Sequence, residues 1–168
     1  GNLSGGIHLT GSGTTNTGIF SNHIGVAADG STALPNNSGI NTTNNNFQDG
    51  VTIGRPGAGN VVSGNLNTGI ALDSVRNAVV QSNYIGTDAT GLLAVPNTSS
   101  GLIVASSSTD ALIGGTGAGE GNVISGNSGA NSFNAGIQIA SGATGGRIQG
   151  NNIGVGSDGA TEIGNGSH

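Results

Sequence analysis

The sequence predicts an all-β chain, a parallel β-helix (β-solenoid) of about five coils with three short strands per coil. The first observation is a Gly-apolar step that recurs at Gly6-Ile7, Gly39-Ile40, Gly69-Ile70, Gly101-Leu102 and Gly136-Ile137. The second is an Asn-x-[Ile/Val]-[Gly/Ser] step that follows each of these, beginning at Asn22, Asn60, Asn83, Asn122 and Asn151. Each pair marks one unit of roughly 30 to 35 residues, a period that means a stacked array. The third is composition: 35 Gly in 168 residues and only 2% aromatics. Gly, Asn, Ser and Thr all sit low on the helix scale, and no apolar 3.6-residue period of useful length appears. The units are expected at 6-38, 39-68, 69-100, 101-135 and 136-168, in a single solenoid domain with uncapped ends.

Each Gly-apolar step opens the first strand of its unit. Ile7-His8-Leu9, Ile70-Ala71-Leu72, Leu102-Ile103-Val104 and Ile137-Gln138-Ile139 place two apolar residues two apart, on one side of a strand, and Ile40-Asn41-Thr42 follows the same course. A second apolar cluster, at Ile19-Phe20, Val51 with Ile53, Val79-Val80, Leu112-Ile113 and Ile148, makes the second strand. The Asn step makes the third and carries Ile24, Val62, Ile85, Ile124 and Ile153 inward. Strands that pair with their equivalents above and below bring identical side chains to about 4.8 Å spacing, so five coils form a rod about 24 Å tall. Equivalent Asn side chains at that spacing form an amide ladder, each donating to the next. Asn22, Asn60, Asn83, Asn122 and Asn151 are assigned to it.

Loop lengths alternate. The second and fourth units carry Gly-rich insertions before the Asn step, Gly54-Arg55-Pro56-Gly57-Ala58-Gly59 and Gly114-Gly115-Thr116-Gly117-Ala118-Gly119-Glu120-Gly121. The other three have their long segments after it. Long loops are therefore expected to alternate between two corners on successive coils, with about 9.6 Å of axis each, so that neighbouring loops need not collide.

The segments Gly-Asn-Val-Ile-Ser-Gly-Asn at 121–127 and Asn-Tyr-Ile-Gly-Thr-Asp-Ala-Thr-Gly at 83–91, with the Gly-Ile-x-Ile steps, resemble the parallel β-helix repeats of large bacterial surface and secreted proteins. The resemblance covers the whole chain and implies a pectate-lyase-like fold and an extracellular or cell-surface setting. Right-handedness rests on it and on the bias of parallel crossovers. It implies no activity, because this fold hosts lyases, hydrolases, tailspikes and inert stalks.

Charge narrows the functions. Eight acids stand against three Arg, with no Lys, for a net charge of −5. Arg55, Arg76 and Arg147 are dispersed, which excludes a nucleic-acid surface built on clustered cations. No apolar run reaches membrane-spanning length, so no membrane insertion is expected. Zero cysteines exclude disulfides and thiol chemistry.

Polysaccharide cleavage needs an acid and a base, or an ion, within reach of one sugar unit. The outward rows of the first sheet read His8, Asn41, Ala71, Ile103, Gln138 and Thr10, Thr43, Asp73, Ala105, Ala140, with Asp73 a lone carboxylate. No catalytic residue is assigned. Asp29, Asp88 and Asp158 in the long loops are weighed as Ca²⁺ ligands, and turn formation through Asx hydrogen bonds is the better explanation. No cofactor is expected. His8, His23 and His168 are too scattered for a metal triad. Five Asn-x-Ser/Thr sequons, at Asn2, Asn36, Asn41, Asn97 and Asn165, are expected by chance in so Asn-rich a chain. The Thr residues repeat at no single coil position, against an ice-binding array.

The expectation is a non-enzymatic extracellular structural solenoid: a stalk or adhesin module continuing into a longer solenoid, or a protomer self-associating end to end into a filament. The alternative is a carbohydrate-binding or polysaccharide-cleaving β-helix domain, with polysaccharide as partner and its catalytic acids outside this segment.

Overall fold

A computed structural model describes residues 1–11, 13–42, 47–129 and 135–166. Among them there is no helix. The first coil holds β1 (Gly5–Leu9), β2 (Gly18–Ile19) and β3 (His23–Ile24). The second holds β4 (Ser38–Thr42), β5 (Gln48–Asp49), β6 (Thr52–Ile53) and β7 (Val61–Val62). The third holds β8 (Ile70–Asp73), β9 (Val75–Arg76), β10 (Val79–Val80) and β11 (Tyr84–Ile85). The fourth holds β12 (Leu102–Ala105), β13 (Leu112–Gly114) and β14 (Val123–Ile124), and the fifth β15 (Ile137–Ile139), β16 (Arg147–Gln149) and β17 (Asn152–Ile153).

Every strand pairs in parallel with its equivalents, and all but β5 and β9 lie in three five-stranded sheets: β1-β4-β8-β12-β15, β2-β6-β10-β13-β16 and β3-β7-β11-β14-β17. The chain is a parallel β-helix. Register aligns the predicted inner stacks: Ile7, Ile40, Ile70, Leu102, Ile137 in the first sheet, Ile19, Ile53, Val80, Ile113, Ile148 in the second, and Ile24, Val62, Ile85, Ile124, Ile153 in the third. Ile40, Ile53, Ile70, Ile85, Leu102 and Ile124 are fully buried. Each such side chain contributes roughly 1.5–3 kcal/mol, which offsets the ordering of a chain poor in large residues.

Thr42 is the polar member of the second inner row of the first sheet. It is buried, and its hydroxyl donates to the Asp73 carbonyl at 2.8 Å while accepting from the Asp73 N–H at 2.6 Å. A fourth, two-stranded sheet, β5-β9, was not anticipated. Bridges extend it into a column through Thr15, Asp49, Arg76, Thr109 and Thr144. The next residue in each coil, Asn16, Gly50, Asn77, Asp110 and Gly145, has φ between 52° and 69°. That corner needs a left-handed residue every time, and Asn, Asp and Gly are the residues that adopt it at least cost.

Candidate functional site

The Asn side chains form two ladders. In the first, the side-chain amide of Asn22 donates to Asn60 Oδ1 (3.0 Å), Asn60 to Asn83 (2.9 Å), Asn83 to Asn122 (2.9 Å) and Asn122 to Asn151 (2.8 Å). The backbone N–H of each donor reaches the same oxygen at 3.0 Å. The remaining amide proton goes to the corner backbone, as from Asn83 to Ile53 and Gln81 carbonyls. These are the five residues the sequence assigns.

The second ladder was missed. It runs Asn2, Asn36, Asn65, Asn97, Asn127, Asn165 at the corner after the third strand, with amide-to-oxygen distances of 2.8–3.1 Å. Both ladders have one polarity: every amide donates toward the C-terminal coil.

Each ladder corner exists in two forms. In the tight form two residues precede the Asn, one of them left-handed: Phe20-Ser21-Asn22 (Ser21 φ 55°) or Ser63-Gly64-Asn65 (Gly64 φ 72°). In the open form the chain leaves at a left-handed Gly and returns at the Asn. Odd coils open the corner after the third strand into hairpins closed by antiparallel bridges Val26–Ala33, Thr87–Ala94 and Val155–Glu162. Even coils open the corner before it. The alternation matches the expectation, and the loops meet in contact without collision. The Ala89 N–H donates to the Gly30 carbonyl at 2.9 Å, and Ser157 N–H to the Gly91 carbonyl at 2.9 Å, so hairpins two coils apart touch.

The loop carboxylates serve these hairpins. Asp29 accepts from the N–H groups of Ser31 and Thr32 (both 2.9 Å) and the Thr32 hydroxyl. Asp158 repeats this with Ala160 and Thr161. Asp88 stands two positions earlier in its hairpin, yet accepts from the corresponding pair, Leu92 and Leu93 N–H, at 3.1 Å, and from Thr90. The Thr32 hydroxyl and the neighbouring amides hold Asp29 at a pKa of about 2. The Thr161 and Ala160 amides do the same for Asp158, also to about 2. For Asp88 burial opposes ionisation, but Thr90, Leu93 and Leu92 outweigh it and the pKa falls. Among the described residues no three His, Cys, Asp or Glu side chains gather as metal ligands.

Two outer faces remain. On the first sheet, register lines up His8, Asn41, Ala71, Ile103 and Gln138, with Asp73 beside Ala105. Thr43 of the second row and His168 lie outside the described residues. On the third sheet the outward row is His23, Val61, Tyr84, Val123, Asn152. The hairpins fold against it, so that Val61 packs with Val26 and Val95, and Tyr84 against them. A groove of about 530 Å³ remains between the two loop columns, over Tyr84, Val123 and Asn152 and walled by Gly57, Gly119 and Ser157. Glu120 at its edge accepts from the Gly117 N–H at 2.7 Å, within its own loop.

Arg55 lies over the Phe20 ring (4.7 Å) and Arg76 over Phe47 (4.0 Å), so two of the three cations are held at separate aromatic partners. Among the described residues no helix is long and apolar enough to cross a membrane. Four of the five sequons, at Asn2, Asn36, Asn97 and Asn165, are second-ladder positions. Asn36 and Asn97 are buried there, their amides bonded. No family model, curated protein or solved structure matches the chain.

Proposed function

We propose that this chain is a non-enzymatic structural solenoid, a rigid module of an extracellular or cell-surface stalk or adhesin. The observation that carries the reading is where its polar groups go. Half of the 22 Asn side chains are bonded into two inter-coil ladders, and the three weighed loop carboxylates are bonded by backbone amides two to five residues ahead of them. Groups bonded in this way resist unfolding and are withdrawn from acid–base work. The test is incubation with acidic and neutral polysaccharides alongside a protease challenge. The reading expects no new reducing or unsaturated ends and survival of the intact chain; turnover that persists in homogeneous protein overturns it.

A glycan-binding role is the second reading, favoured by the groove over Tyr84, where one aromatic ring sits among amides and hydroxyls without a free carboxylate. Titration of neutral oligosaccharides against the chain and Tyr84→Ala separates the two: saturable heat lost in the variant supports binding.

A further inference from the structure

The C-terminal end of the rod is an open coil face. Ile139, last of the second inner row of the first sheet, and Ile148 and Ile153, last of the inner stacks of the second and third sheets, are 52%, 46% and 46% exposed, whereas Ile19 and Ile24 in the first coil are buried at 5% each. At the corner between the last coil's first two strands, Ala143 and Gly146 stand over Ser108 and Ala111 of the fourth coil, and an apolar depression of about 260 Å³ remains, bounded by Val104, Ile113, Ile139 and Ile148. No described residue accepts from the backbone N–H of Asn151, although its four first-ladder equivalents, Asn22, Asn60, Asn83 and Asn122, each donate to the next ladder oxygen. On the second ladder Asn2, Asn36, Asn65 and Asn127 donate likewise, whereas among the described residues neither Asn97 nor Asn165 finds an acceptor for its backbone N–H. The face thus offers an apolar socket and the backbone donors of Asn151 and Asn165 at the two ladder corners of the last coil. What completes it is another coil whose two ladder Asn side chains present their oxygens.

Coil form decides which coil. A Ser-Gly-Asn corner of an even coil sits in a slot between two hairpins. The Gly64 N–H donates to Val95 O at 2.9 Å, the Ser63 hydroxyl donates to Thr87 O at 2.7 Å, and a Cβ on Gly64 would lie 3.0 Å from Ala33 Cβ. Gly126 repeats this, its N–H donating to Ile163 O at 3.0 Å and its own Cβ position falling 2.9 Å from Ala94. Hairpins separated by two coils already touch, with the Gly30 Cβ position 2.6 Å from Ala89 Cβ. At one strand step, about 4.8 Å, two hairpins would overlap. The fifth coil carries a hairpin, and so does the first.

We propose that the C-terminal face docks a coil of the even form, with a tight Ser-Gly-Asn corner after its third strand and a Gly-rich loop before it, and rejects the odd form, this chain's own first coil included. The required interface is one the chain already builds twice, where Asn60 and Asn65 receive Asn22 and Asn36, and where Asn122 and Asn127 receive Asn83 and Asn97. The inference rests on the structural-module reading and refines it: elongation proceeds by strict alternation of the two forms, and direct head-to-tail stacking of identical copies is excluded because it sets two hairpins on adjacent coils.

The experiment appends a sixth coil after Gly166. Two fusions carry even coils, residues 38–68 or 101–127 of this chain, and one carries the odd coil, residues 4–36. Hydrogen exchange at the Asn151 and Asn165 amides is followed by NMR, and the unmodified chain is sedimented across concentrations. The expected result is at least about tenfold slower exchange at the Asn151 amide in an even fusion, none in the odd fusion, and no concentration-dependent growth of the unmodified chain. Equal protection by the odd coil, no protection by either even coil, or end-to-end growth of the unmodified chain overturns the proposal. None of these outcomes bears on polysaccharide turnover, so failure here and failure of the structural reading are told apart.

Discussion

Asn122 Oδ1 accepts two hydrogen bonds from Asn83, one from the side-chain amide at 2.9 Å and one from the backbone N–H at 3.0 Å. Asn83 is 1% exposed and in turn accepts both bonds from Asn60. Truncation therefore strands groups on three successive coils. Asn83→Ala is expected to lower the unfolding free energy by about 3–5 kcal/mol. Asn151→Ala, at the end of the same ladder and half-buried, should cost less than half as much. Urea unfolding of both variants checks the ratio; equal losses would mean that the ladder is not a through-chain element.

Hairpin contact across two coils separates from backbone strain by comparing two glycines. Gly30 and Gly159 both have φ 70°, but a Cβ at Gly30 meets Ala89 Cβ at 2.6 Å and one at Gly159 meets nothing within 4 Å. Both Ala variants carry the left-handed cost of about 1–2 kcal/mol. Gly30→Ala should be the more destabilising by at least about 1 kcal/mol, read from thermal unfolding. Identical shifts would deny the inter-hairpin packing.

Ser21 is exposed and left-handed at φ 55°, while the fifth coil places Gly150 (φ 64°) at the same point ahead of its Asn. Ser21→Gly should stabilise by about 0.5–1 kcal/mol, because relief of the left-handed cost exceeds the added freedom of the unfolded chain, and Ser21→Val should destabilise. Calorimetry gives the sign directly.

Asp29 and Asp158 titrate at about 2 in the folded chain against an ordinary 3.8. Their folded pKa values are depressed, so the unfolded chain binds more protons in that interval. Their stabilising contribution is complete above about pH 4 and is lost as pH falls from about 4 toward 2. Melting temperatures between pH 2 and 5 should slope less in the Asp29→Asn/Asp158→Asn double variant. An unchanged slope would place the acid sensitivity elsewhere.

The first ladder and the three inner stacks were legible because each lies on or just before a strand whose pattern repeats. Ile24, Val62, Ile85, Ile124 and Ile153 all stand two residues after their ladder Asn. The second ladder keeps no such offset. Its Asn comes three residues after Val62 and Ile124 but twelve after Ile24, Ile85 and Ile153, because the corner between is tight in even coils and open in odd ones. The signal was present in part as sequons, which mark four of its six positions. The loop acids show the same limit. Asp29 stands seven residues after its ladder Asn and Asp88 five after its own, yet both cap corresponding amides, a convergence that spacing conceals. Contact between alternate hairpins was equally hidden, because strand spacing gives the room per loop and not how far each hairpin leans.

The most direct test of the account is residue-resolved hydrogen exchange on the unmodified chain. The ladder predicts that the Asn60, Asn83 and Asn122 backbone amides, each bonded to a side-chain oxygen of the next coil, exchange only with global unfolding, while Asn151 and Asn165 exchange orders of magnitude faster. Fast exchange at Asn60, Asn83 and Asn122, or protection at Asn151 and Asn165 equal to theirs, would contradict it.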